Sequence, residues 1–105
     1  MAIINANLGL TSNAVYTSTG NTVVSLMYFC NYSGSTKIAN LYLVPSAQSS
    51  VGAQNYNQVY ANYAITSSDT LVVNQEKFVL SNGDAIYANA NAAAAMTMTI
   101  GYFAL

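Results

Sequence analysis

Apolar and polar positions alternate with a period of two along most of the chain, the spacing of strands whose successive side chains point to opposite faces. Over Thr22–Asn31 the alternation places Val24, Leu26, Tyr28 and Cys30 on one face and Val23, Ser25, Met27 and Phe29 on the other. Both faces are largely apolar, which predicts a central strand covered on each side. Residues 37–45 set Leu41 and Leu43 against Tyr42 and Val44. Residues 96–105 set Met96, Met98, Ile100 and Tyr102 against Thr97, Thr99 and Gly101, a half-buried strand with one polar, β-compatible face. Shorter strands are expected at residues 14–18, 59–66, 70–73, 78–80 and 85–90.

Turn residues fall between these segments. Ser18, Thr19, Gly20 and Asn21 separate the first two strands, and the stretch around Gly34 separates the next two. Ser67, Ser68 and Asp69 make a further turn. Asn82-Gly83 reads as the centre of a tight hairpin, because both residues tolerate positive φ. About seven or eight short strands punctuated in this way predict an all-β fold, a single antiparallel β-sandwich or jelly-roll-like domain over residues 1–105.

Two stretches resist the alternation. Residues 46–57 form a polar loop rich in Ser, Gln, Gly and Asn, compatible with a short helical turn. Residues 89–95 (NANAAAA) are expected as a loop of small residues joining the last two strands as a hairpin. The chain ends on Phe103, Ala104 and Leu105 without a polar tail. The final strand is therefore expected to pair centrally and to hold its last residues in the sheet or against a neighbour.

Charge changes the picture most. Lys37, Lys77, Asp69, Glu76 and Asp84 are the whole inventory, 5% of positions against about 25% in an ordinary soluble domain. Arg, His and Trp are missing. Without His, a Ser–His–Asp or Cys–His arrangement cannot form, and a zinc site of nitrogen and sulfur ligands is implausible. Asp69 and Asp84 read as turn residues and Glu76 with Lys77 as a solvated edge. No enzyme activity, metal or cofactor is expected. Cys30 has no disulfide partner in the chain and is expected as a buried, inert thiol. The opening MAIINANLGL has neither a basic stretch nor a long apolar one, so no secretory signal is expected, and no run is long enough for a transmembrane helix. A net charge of −1 gives no pull toward nucleic acid or acidic lipid. A surface of amides, hydroxyls and small apolar groups suits a protein packed against copies of itself or against neighbours.

Nine tyrosines are the feature with binding potential. Each offers a large apolar ring and a polar tip. Tyr56, Tyr60 and Tyr63, beside the Ser/Gln/Asn-rich loop, are the candidate contact surface, for a protein or for a stacked sugar. Tyr16, Tyr28, Tyr42, Tyr87 and Tyr102 lie within strands and are expected to cap the core.

From residue 17 to residue 105 the chain resembles a family of short virion structural proteins of tailed bacteriophages, including phages of marine cyanobacteria. SLMYFCN (25–31), LYLVPS (41–46) and EKFVLSNGDAIYANA (76–90) carry the likeness. The family pattern has an aromatic-rich strand ending in Asn, a strand ending Val-Pro-Ser, an Asp-Thr turn (here Asp69-Thr70) and a Gly-Asp turn (here Gly83-Asp84). A Gly usually follows the Pro-Ser step; here Ala47 and Gln48 follow. The resemblance implies a non-enzymatic virion component assembled in the host cytoplasm. A capsid decoration or cement protein is expected first, forming a homo-oligomer, a trimer by expectation, on the major capsid protein. A neck, tail or baseplate adaptor that anchors fibres is the alternative. A glycan-binding adhesin module is the competing class, with the three tyrosines as its platform. Neither nucleic acid nor membrane is an expected partner.

Overall fold

The computed structural model describes residues 2–73 and 78–105. Among them nine strands form two antiparallel sheets packed face to face: β1 (Ala2–Leu8), β2 (Asn13–Thr17), β3 (Thr22–Asn31), β4 (Lys37–Val44), β5 (Gln58–Ile65), β6 (Thr70–Val73), β7 (Phe78–Leu80), β8 (Ala85–Ala90) and β9 (Met96–Ala104). The five-stranded sheet runs β1-β9-β3-β6, with β7 also on β3. The four-stranded sheet runs β2-β8-β4-β5. The all-β sandwich expected from the alternation is therefore observed, with one more strand than expected. The added strand is β1, which pairs along its whole length with β9 and turns Ile4, Ala6 and Leu8 inward.

Between the sheets lie Met27, Phe29, Leu41, Ile86, Met96, Met98 and Ile100, all essentially without solvent contact. Burying each such side chain contributes roughly 1.5–3 kcal/mol. Three of the four buried polar residues among those described, Ser18, Thr22 and Asn31, lie at the two ends of β3, and the fourth is Asn57. At one end Thr22 Oγ1 meets the Ser18 hydroxyl at 2.9 Å and the Tyr16 hydroxyl at 3.2 Å. At the other, the Asn31 amide donates to the carbonyls of Ile65 (2.8 Å) and Ser35 (2.9 Å), while its Oδ1 accepts from the Ser33 amide and hydroxyl. Most buried polar groups in folded proteins are bonded in this way; the Asn89 Oδ1 is the exception among the described side chains.

Several expectations are corrected. A register shift between Val24 and Leu26 bulges β3 at Ser25, so the inward positions change from Thr22 and Val24 to Met27, Phe29 and Asn31. The strand is covered on one side only, and Val23, Leu26, Tyr28 and Cys30 face outward. The Cys30 thiol is consequently half-buried. Asn82-Gly83 is not a hairpin: β7 pairs β3 in one sheet, while β8 pairs β2 and β4 in the other. The turn crosses between sheets, with Gly83 at φ +87° and the Asp84 amide bonded to the Ser81 carbonyl. Likewise β8 and β9 lie in different sheets, so residues 91–95 form a crossing loop rather than a hairpin loop. The final strand does pair centrally, between β1 and β3, and stays in register to Ala104. Its end is not buried within the chain, because Phe103 and Leu105 are exposed.

Candidate interaction surfaces

Tyr60 and Tyr63 come together because β5 is bulged twice. Against β4, Gln58 faces Tyr42, Tyr60 faces Leu41 and Tyr63 faces Ala39, so β5 spends one extra residue in each step. The second bulge holds Asn62 at φ +54°. Its amide bonds the Asn40 side chain at 2.8 Å, and the Gln58 amide reaches the same oxygen at 2.9 Å. A bulge puts residues three apart on one strand face. The two rings accordingly meet at 5.6 Å between centroids, tilted by 45°. Tyr56 sits on a separate 3-10 turn (Asn55–Asn57), exposed, and joins no ring pair among the described residues.

Tyr63 also lines a cleft of about 310 Å³ where the free edges of the two sheets face each other. Ile65 and Leu71 contribute apolar wall, and Thr66, Asp69 and Thr70 contribute polar groups. The Asp69 carboxylate already serves the turn, accepting from the Thr70 amide at 2.8 Å and the Thr66 hydroxyl at 3.3 Å. Asp84 is a turn residue in the same sense: its two oxygens accept from the amides of Ser46 and Ser81, each at 2.9 Å. Both acids thus do what their turn positions suggest. Glu76 and Lys77 lie outside the described residues.

A second surface was not visible in the sequence. It is the outer face of the five-stranded sheet, assembled only by register. Phe103, Val23 and Val79 form one row across β9, β3 and β7. Ile3, Gly101 and Leu26 form the next. Asn5, Thr99, Tyr28 and Val72 follow, then Asn7, Thr97, Cys30 and Thr70. One half of the face is apolar and open: Ile3 is 65% exposed, Val79 66% and Phe103 43%. The other half is amide and hydroxyl, with Thr99 donating to Asn5 at 2.8 Å. None of the charged side chains among the described residues stands on it. Contiguous apolar surface of this kind marks a contact site.

No protein-family model, curated protein or solved structure matches this chain. These comparisons link the chain to no phage structural family. Asn31, at the end of the aromatic strand, ties β3 to β5. Both of its amide hydrogens are used inside the fold. Among the described residues no helix is long and apolar enough to cross a membrane.

Proposed function

We propose that this protein is a non-enzymatic structural component of a bacteriophage particle, working by surface complementarity. A capsid decoration or cement protein is the first choice and a neck, tail or baseplate adaptor the second. The observation that carries the reading is the outer face of the five-stranded sheet, open to solvent, half apolar and without a charged side chain among its described residues. Such a face favours a protein whose working state is packed against neighbours. The strand orders β1-β9-β3-β6 and β2-β8-β4-β5 support a jelly-roll winding, an architecture used by viral capsid and lectin domains. That support is an analogy of fold and not of site. The resemblance in residues 17–105 adds the particle itself. Many copies on one particle would raise the effective affinity of a modest contact.

The test is mass spectrometry and immunogold labelling of purified particles made from the genome that carries this gene. The protein should be a stoichiometric particle component, and labelling on the head would favour decoration over the tail adaptor. Its absence from particles would overturn the reading. One observation favours the second class, a glycan-binding module: Tyr63 offers its ring beside hydroxyls in a cleft of ligand size. Retention on a glycan array that is lost in Tyr63→Ala would support that class instead.

A further inference from the structure

We infer that the outer face of the five-stranded sheet is the contact between two copies of this chain, packed face to face about a two-fold axis. The inference rests on the packing role proposed above and names the partner of that face. Its first support is shape. The face is four strands wide and four residue rows long. At about 4.8 Å per strand and about 6.8 Å per row, that is roughly 500 Å² in plan. Two copies together would bury about 1,000 Å², the lower bound for a specific interface. The face must therefore be covered almost entirely to hold a partner. A single helix, about 10 Å wide, would cover half of it. Another sheet of the same size covers it all, at the spacing of about 10 Å usual for stacked sheets.

The second support is charge. The described residues of the face carry no charged side chain, so among them a copy meets a copy without like-charge repulsion, the usual obstacle to self-pairing of a charged surface. Third, the face is divided as interfaces are, into an apolar part and a neutral polar part. Ile3, Val23, Leu26, Val79 and Phe103 lie at one end, and Asn5, Asn7, Thr97 and Thr99 at the other. In an isologous contact the same patch meets itself. With the axis in the contact plane and parallel to the strands, each row faces the same row of the partner, so apolar side chains meet apolar ones and the whole face is covered. This geometry gives two-fold pairing, and it replaces the trimer expected from the resemblance. The small area makes the dimer weak, with a Kd of order micromolar, in keeping with a contact reinforced by multiplicity.

Sedimentation equilibrium of the full chain from about 1 to 500 μM tests this over the range where a micromolar Kd is visible. The expected result is a reversible monomer–dimer equilibrium. Ile3→Lys and Val79→Lys, both at exposed positions, should each weaken it at least tenfold while circular dichroism shows an unchanged fold. Val51→Lys, on the loop over the opposite sheet, should leave it unchanged. A monomer throughout, a trimer, or a dimer indifferent to Ile3→Lys and Val79→Lys would overturn the inference. Those outcomes would leave the particle reading standing, which falls only if the protein is missing from particles.

Discussion

The outer faces of the two sheets are built from similar strands and end differently. On the four-stranded sheet, Tyr42, Val44, Ala85 and Tyr87 point outward, yet Val44 and Ala85 are buried. The chain covers them itself. Residues 46–57 leave β4 through a 3-10 turn (Ser46–Gln48), bring Gly52 beside the Tyr87 ring and return through the turn Asn55–Asn57 into β5. Asn57 ties that loop together, accepting from the Gln54 amide at 2.8 Å and donating to Gln48 and Gly52. On the five-stranded sheet no segment among the described residues does this service, and Ile3, Val72, Val79 and Phe103 stay open. Single exposed apolar side chains occur elsewhere too, at Leu10, Val51 and Val59, but on the five-stranded sheet they share one face by register. Where the chain needs a covered face it spends twelve residues on one. The bare face is the one proposed above to meet a partner.

The covering loop is also where the comparison breaks most easily. Gly83 lies at φ +87°, and a Cβ there would stand 2.8 Å from the Cβ of Ser46, the first residue of the loop. Gly83→Val combines a strained left-handed backbone with a collision against the loop's root. It should cost about 3 kcal/mol and lower Tm by more than about 10 °C. Gly52, at φ +68°, approaches Tyr87 more gently, with its added Cβ at 3.4 Å from the ring. Gly52→Ala should cost only about 1–2 kcal/mol, the strain of a non-glycine residue in that region. Thermal melts of the two variants check the order. If Gly83→Val melts like the parent, the loop is not anchored through Ser46, and the contrast between a covered and a bare face fails.

Local alternation made most strands legible, since a strand's period is a property of neighbouring residues. β6, β7 and β8 fall where the pattern puts them, and β4, β5 and β9 differ by a residue at their ends. What the pattern could not carry is phase and partnership. The bulge at Ser25 flips the faces of β3 midway, and its only trace is the pair of apolar doublets Val23-Val24 and Leu26-Met27 on either side. The turn at Asn82-Gly83 is legible as a turn, but a turn does not say which sheet its two strands join. The tyrosine pair shows the same limit. Tyr60 and Tyr63 have helical spacing, and a bulge at Asn62 gives a strand that spacing too. Nothing local distinguishes the two, and nothing in the residues separates Tyr56 from the pair. The bare face was least legible of all, because Ile3, Val23, Val79 and Phe103 come from four strands and meet only through register. β1 went unread because a short stretch of Ile, Ala and Asn at a chain end carries a weak period.

The smallest expected effect sharpens the comparison from the other side. If the bare face associates through apolar burial and neutral hydrogen bonds, screening has little to act on. Raising sodium chloride from about 0.05 to about 0.5 M should change the association constant by less than tenfold. Replacing chloride by sulfate at equal ionic strength should tighten association, since sulfate strengthens apolar burial. An electrostatic contact is weakened by the added sodium chloride and is indifferent to the exchange, because screening follows ionic strength. A hundredfold loss in chloride would therefore mean that the contact is electrostatic, centred on Lys37 or Lys77, and that apolar burial on the bare face is not what holds the partner.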